Sequence, residues 1–249
     1  MNHSIQLSKR LHQIAQYIPK GCPVADIGSD HAYLPTFLVQ EGISPFVIAG
    51  EVNRGPWKSA KKQIEQSGLS AYVDVRLGDG LSVVSPEEVD AIVIAGMGGP
   101  LMTEILEGGK GKLDAVKRLI LQPNVGEELV RRWLYHHHWQ LVDESILEEG
   151  GRIYEIVVAE KGDREAPYLN QPWDKEVLFH IGPFLWKRQP LLLRIKWEEE
   201  LRKMERVVKQ LERSHSIEAQ EKKEDFSQRI LSIQEVLSCL PTDKPLSNT

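Results

Sequence analysis

VADIGSDHAYLP, Val24–Pro35, is the stretch on which the fold turns. An apolar run, one glycine and the start of a helical pattern follow without a break, as where a strand hands over to a loop at a sheet edge. Gly28 begins the turn. A glycine there permits positive φ and lets the backbone approach a ligand, because no Cβ intervenes. The run reads Gly-x-Asp-x-Ala, without the three-glycine fingerprint that offers bare amides to a pyrophosphate at a helix N-terminus. Asp26 and Asp30 in this loop, with Ser29 between them, suit a cationic ligand better than an anionic one. The plainer alternative is that Asp26 only caps a turn.

Reading outward, seven strand candidates rich in β-branched residues run from Pro23 to Glu160: 23–28, 46–52, 73–79, 91–97, 118–123, 140–147 and 152–160. The first five are nearly continuous apolar runs, as expected of parallel strands covered on both faces. Helical segments at 35–41, 56–67, 102–107 and 126–135 separate them, and an amphipathic helix over Ser4–Tyr17, stopped by Pro19, precedes them. Only Glu148–Gly151 stands between the last two strands, which makes them a hairpin. Five crossover-linked strands closed by an antiparallel hairpin match the seven-stranded, Rossmann-like sheet of class I methyltransferases. An ordinary dinucleotide-binding fold ends in parallel strands.

The other strand ends repeat the pattern of the first. Glu51 closes the second strand, twenty-three positions after Gly28, where a carboxylate can accept from both hydroxyls of a ribose. LGDGL puts Asp79 and Gly80 at the rim of the third strand, beside the place of an adenine ring. IAGMGGPLM sets Gly96, Gly98 and Gly99 around Met97 at the end of the fourth. Ligands of such sheets bind outside the carboxyl ends of the strands. Four loops of this kind in order on one edge point to S-adenosylmethionine, which has a carboxylate, an ammonium and a sulfonium but no phosphate. An NAD dehydrogenase is excluded by the missing fingerprint.

These motifs, VADIGSDHAYLP, GEVNRGPW, RLGDGL, IAGMGG, LILQPN and GRIYEIVVAEKG, together resemble the bacterial tRNA adenine-22 N1-methyltransferase family over nearly the whole chain. The most specific elements are Asp30–Pro35 and Gly96–Gly99. The resemblance implies methyl transfer from S-adenosylmethionine, leaving S-adenosylhomocysteine, to N1 of adenine 22 in the D-arm of tRNA. It also implies a cofactor-binding α/β domain and a helical tail that helps to hold RNA. Asp26, Gly28, Ser29, Glu51, Asp79, Gly80, Gly96 and Met97 are then the expected cofactor contacts, with Asp30, His31 and Tyr33 as the catalytic candidates. Asp30 either offsets positive charge growing on the base or binds the cofactor's amine. His31 and Tyr33 offer a hydrogen bond and a stacking face. No metal is expected: the consecutive His136, His137 and His138 cannot all face one ion from a helix.

Composition bounds the rest. The chain has 249 residues, a net charge of −5 and two distant cysteines, which fits a reducing cytosol and a cytoplasmic location. No apolar run reaches the roughly 20 residues of a membrane span. Up to Asp174 there are 17 Lys and Arg against 24 Asp and Glu, a balance of −7; Lys175–Arg229 has 13 against 10, a balance of +3. The expected organisation is a catalytic α/β domain over 1–163, a linker over 164–189, a coiled-coil-like antiparallel helical hairpin over 190–240 and a flexible end over 241–249. The hairpin rests on two heptad-like stripes, Trp197 to Leu211 and Phe226 to Leu240, separated by SHSIEAQEKK. Lys187, Arg188, Lys196, Arg202, Lys203 and Arg206 are the candidate RNA contacts and should share one exposed face, together with Arg194 and Lys209. The oligomeric state is left open, with a monomer as the simpler expectation. One rival is a methyltransferase of the same fold acting on protein or a small molecule, its hairpin a dimerisation element. Another is a non-catalytic RNA-binding scaffold.

Overall fold

The computed structural model describes residues 5–212 and 216–242. They divide into two compact units, Met1–Gln171 and Pro172–Thr249.

The first unit is built on one seven-stranded sheet. In chain order the strands are β1 (Val24–Ile27), β2 (Val47–Glu51), β3 (Val73–Leu77), β4 (Ala91–Met97), β5 (Arg118–Pro123), β6 (Trp139–Glu149) and β7 (Arg152–Lys161). Their spatial order is β3-β2-β1-β4-β5-β7-β6. The first five pair in parallel, and β7 runs antiparallel to both β5 and β6. Every residue of β1 and β2 is buried, and apart from Asp26 and Glu51 their residues are apolar, as on strands that meet helices on both faces. The hairpin is tighter than expected, because β6 and β7 extend until only Gly150 and Gly151 remain between them. Both have positive φ, +59° and +73°, the requirement of a two-residue hairpin turn whose twist matches its strands.

Helices α1 (Lys9–Gln16), α2 (Tyr33–Gln40), α3 (Arg54–Gln66), α4 (Gly99–Gly108) and α5 (Glu127–His136) flank the sheet. The expected first helix began at Ser4, which lies outside the described residues; helix forms only from Lys9, with the Ser8 hydroxyl accepting from Leu11 N–H as its cap. From β1 the chain steps outward to β2 and β3, then returns on the other side of β1 as β4. The crevice at the carboxyl ends of β1 and β4 is therefore the switch point of the sheet, where ligands of such folds bind.

Away from that edge, α5 locks onto the hairpin through a fully buried ion triad. Arg131 Nε donates to Glu144 at 2.6 Å and Nη2 to Glu155 at 2.5 Å, all three side chains being 0% exposed.

In the second unit the expected linker is partly helical. Its residues from Lys175 onward form α6 (Lys175–Ile181) and α7 (Pro183–Arg188), which bury Leu178, Phe179, Ile181, Leu185 and Trp186. A reading of REAPYLNQPWD as punctuation missed how apolar the following residues are. Then come α8 (Leu191–Leu211) and α9 (Ile217–Cys239). The connection is shorter than expected, since Glu218–Lys223 already belongs to α9. The pair is antiparallel: Arg194 at the start of α8 donates to the carbonyls of Leu237 and Leu240 at the end of α9, at 2.9 and 2.8 Å. A guanidinium there satisfies carbonyls that have no helical partner. Leu193, Trp197, Ile233, Val236 and Leu237 are buried in this unit. The expected flexible end lies, from residue 243 on, outside the described residues.

Candidate active site at the switch point

Each strand end at the switch edge is tied to its neighbour. Gly28 and Ser29 both donate their N–H to Gly50 C=O, at 2.9 and 3.1 Å, and Gly78 N–H donates to Glu51 C=O at 2.8 Å. Asn124 N–H donates to Met97 C=O at 2.7 Å. The loops after β1, β2, β3 and β4 thus form one rim, which brings Asp26, Gly28, Ser29, Glu51, Asp79, Gly80, Gly96 and Met97 to the same edge.

Two of these residues do something other than expected. Gly28 has φ +74°, and a Cβ placed on it would stand 2.3 Å from the Met97 methyl carbon. The missing side chain makes room for Met97, whatever else it admits. Gly28 and Ser29 also have their amides committed to Gly50, so neither N–H is open to a ligand. Gly80, at φ +49°, packs against Ile105, and Asp79 beside it is exposed at the rim.

The carboxylates carry the electrostatics of the edge. Asp26 is 4% exposed and accepts from the Ser29 hydroxyl at 2.7 Å. Burial pushes its pKa up to about 7; the Ser29 bond works against this, and the nearby Glu51 adds to it. Glu51 is 6% exposed. Its pKa is also raised, chiefly by burial, while the N–H of Asp30, donating to Oε1 at 2.6 Å, pulls it back. Glu51 Oε2 has no hydrogen-bond partner among the described residues. Asp26 and Glu51 are thus buried acids without a lysine or arginine paired to them, a donor set suited to hydroxyls and to a positive charge.

After Ser29 the backbone is strained. Asp30, His31 and Ala32 have φ of +32°, +60° and +54°, and none is a glycine. Left-handed backbone costs such residues about 1–2 kcal/mol each, and a run of this kind persists only where its surroundings hold it. Glu51 holds the start through the Asp30 amide. Thr36 holds the end, its hydroxyl donating to Ala32 C=O at 2.7 Å. The strained turn presents the three catalytic candidates together. His31 Nε2 lies 3.5 Å from Asp30 Oδ1, and the His31 and Tyr33 rings stack at 5.6 Å and 29°. Tyr33 is 44% exposed.

Four further residues crowd this rim, and their roles were not legible in the sequence. Gln122 and Asn124 from the end of β5 bond both backbone groups of Gly96. Arg10 from α1 reaches Gln122 and lies over the Tyr154 ring. A glutamine inside the apolar run of LILQPN was the one available signal.

The candidate RNA contacts on α8, Lys196, Arg202, Lys203 and Arg206, fall within about a third of the helix circumference, on one broad face. Lys203 is bound to Glu200 at 2.6 Å, and Arg194 to Glu198 at 2.8 Å. Lys187 and Arg188 lie on α7, each beside the Phe184 ring. A second basic face occurs in the first unit. Arg54, Lys58, Lys61 and Lys62 are exposed on α3 at spacings of four and three, and among the described residues none of them is in an ion pair.

Among the described residues no helix is long and apolar enough to cross a membrane, and no three His, Cys, Asp or Glu side chains converge as metal ligands would.

The family model described as tRNA (adenine(22)-N(1))-methyltransferase matches residues 24–235. A Bacillus subtilis tRNA (adenine(22)-N(1))-methyltransferase is 45% identical over 236 residues, 94% of this chain and 98% of that protein. The crystal structure of the B. subtilis M1A22 tRNA methyltransferase superposes with a TM-score of 0.89 at 44% identity, covering 94% of this chain and 99% of that one. A Streptococcus pneumoniae candidate tRNA (m1A22) methyltransferase, solved in complex with S-adenosyl-L-methionine, has a TM-score of 0.81 at 41% identity, over 93% and 100% of the two chains. A strained turn, a rim of unneutralised carboxylates and kinship along almost the full length agree, and the chain belongs to the tRNA (adenine(22)-N(1))-methyltransferase family.

Proposed function

We infer that this protein transfers the methyl group of S-adenosylmethionine to N1 of adenine 22 in the D-arm of tRNA. Within the molecule, the observation that carries this reading is the acidic edge at the switch point, where Asp26 and the buried Glu51 have no lysine or arginine paired to them among the described residues. Such an edge accepts ribose hydroxyls and a positively charged ligand and repels a pyrophosphate. The residues fit the cofactor: Glu51 takes the ribose, Asp79 at the rim accepts from the adenine amine, and Asp26, steadied by Ser29, favours the cationic end. When bound, S-adenosylmethionine supplies a methyl carbon made electrophilic by the sulfonium.

Adenine N1 has an in-plane lone pair, so no proton has to be removed before it attacks that carbon. The work left to the protein is alignment, exclusion of water and relief of charge on a base that becomes cationic. Asp30 suits the last task, as an exposed carboxylate held forward by the strained turn. The stacked His31 and Tyr33 rings beside it offer a face to an extruded base. The rival role for Asp30, binding the cofactor's amine, predicts that excess cofactor restores an Asp30→Ala variant. The charge-relief role predicts that it does not.

The tRNA backbone is held by cations. The stripe on α3, in no ion pair among the described residues, spans about 12 Å along the helix, and the cations of α7 and α8 supplement it. A single chain supplies every candidate residue, so a monomer suffices, and tRNA as substrate fits a cytoplasmic location. The test is direct: incubate the protein with labelled cofactor and unmodified tRNA, then map the modified base. Label at any position but N1 of adenine 22, or in protein instead of tRNA, would overturn the reading.

A further inference from the structure

Strand β4 breaks its register with β5 at one residue. Ala95 faces Gln122 and Met97 faces Pro123, leaving Gly96 between them as a bulge with φ +79°. A bulged residue takes its N–H and C=O out of the ladder, and those groups need other partners. Two side chains of the neighbouring strand supply them. Gln122 Oε1 accepts from Gly96 N–H at 3.0 Å, and Asn124 Nδ2 donates to Gly96 C=O at 2.6 Å. The Gln122 amide cannot turn over without loss, because its Nε2 donates to Pro123 C=O at 2.9 Å and to Asn124 Oδ1 at 3.2 Å. Arg10 Nη1 donates to the same Gln122 oxygen. The guanidinium is itself seated over Tyr154 at 5.4 Å and beside Glu149 at 3.8 Å. At the far side of the bulge, the Met97 methyl fills the space that a side chain on Gly28 would take.

We propose that Arg10, Gln122 and Asn124 are positioning residues for methyl transfer, clamping the Gly96 bulge so that Met97 is seated on Gly28 as a fixed wall of the reaction site. The proposal rests on the cofactor lying across this edge. None of the three needs to touch the reacting atoms. Their effect is on alignment, where a displacement of about 1 Å lowers turnover about 100-fold.

The experiment uses the full chain, S-adenosylmethionine and unmodified tRNA. Gln122→Met removes the shared acceptor at nearly constant volume, and Gln122→Glu keeps an oxygen for both Gly96 and Arg10. Gln122→Met should lower kcat about 100-fold, with cofactor affinity and KM for tRNA within a few-fold of the parent. Gln122→Glu should recover only part of that loss, because its second oxygen cannot donate to Pro123 C=O and Asn124 Oδ1. Should the buried Gln122→Met fail to fold, the exposed Asn124→Ala carries the test, with kcat reduced about tenfold as a smaller misalignment. In a Met97→Ala background Asn124→Ala should cost nothing more, because the clamp acts through Met97. Additive losses, an unchanged kcat, or a loss cured by raising the cofactor concentration would overturn the proposal. An active parent with an unaffected Asn124→Ala overturns the clamp alone, whereas an inactive parent overturns the substrate reading and the clamp with it.

Discussion

At the switch edge of the sheet Asp26, Glu51 and Asp30 stand without a lysine or arginine paired to them among the described residues, whereas at the hairpin Glu144 and Glu155 close on Arg131 from two sides. Both clusters contain buried carboxylates, and both lie on the same sheet. In the second the protein supplies the counter-charge from its own α5, and the geometry leaves nothing for a ligand to add. In the first, burial raises the pKa of Asp26 and Glu51 because no paired cation offsets it. A carboxylate kept buried and uncompensated is costly for folding, and such sites are concentrated where a ligand is to be bound. The comparison separates a structural ion cluster from a functional one by asking where the neutralising charge comes from.

The largest expected effect tests the structural side. Arg131→Met strands two buried carboxylates and should destabilise the protein by roughly 3–5 kcal/mol in chemical denaturation. The fraction that stays folded should bind cofactor within a few-fold of the parent. A strong loss of cofactor affinity in folded Arg131→Met would break the comparison.

Glu51→Ala tests the other side with the opposite pattern. It should lose cofactor affinity by roughly 1.5–3 kcal/mol for each charge-assisted bond removed, read by calorimetry. Its melting temperature should change little, since the loss of a desolvated charge offsets the lost hold on the Asp30 amide. A variant that unfolds but binds normally would place Glu51 with the structural acids.

The pH dependence follows from Asp26. Its folded pKa, about 7, lies above the ordinary 3.8, so between those values the folded chain holds a proton that the unfolded chain has lost. Stability contributed by this group is complete below about pH 4 and declines as pH rises towards 7, with a slope of at most about 1.4 kcal/mol per unit. Melting curves of Asp26→Asn should lack that decline. Cofactor affinity of the parent should increase through the same window, as the carboxylate that favours a cation forms. An affinity independent of pH from about 5 to 8 would remove Asp26 from the site.

The smallest effects extend the contrast to cations. Lys203 and Arg194 are paired with glutamates, while among the described residues Arg54, Lys58, Lys61 and Lys62 are in no ion pair. Replacing Lys58, Lys61 and Lys62 with Gln should flatten the salt dependence of tRNA binding by about 0.7–0.9 log units per log unit of salt for each phosphate that is no longer neutralised. Replacing Lys203 should change it least. Equal slopes would mean that pairing does not sort the RNA-binding cations from the rest.

Periodicity alone located the strands, because an apolar run buried on both faces differs from an amphipathic helix in any order of residues. Of the first five strand candidates two keep their bounds and three lose only one or two residues at their ends, and the closing hairpin was legible in the short separation of its strands. The rim was legible for the same reason: Gly28, Glu51, Asp79 and Gly96 fall where strands end, and strand ends of a parallel sheet share one edge. The helical segment within the expected linker was missed, since a proline-rich opening conceals short apolar helices that only their packing stabilises. The basic stripe on α3 was hidden in a segment whose summed charge is negative; spacing on a helix, not net balance, makes a face.

What the sequence determined by itself is the order of local choices: which residues extend, which turn, and which chemical groups arrive at the edge. Tertiary structure alone decided the pairings between distant positions. That Arg131 would answer Glu144 and Glu155, that Glu51 would hold the Asp30 amide, and that Arg10 would meet Gln122 across 112 positions depends on β2 lying beside β1 and on β5, β7 and β6 lying side by side. Those neighbours are set by the winding of the sheet, and hydrogen bonds and buried charge act only over a few ångströms of space, whatever the distance along the chain.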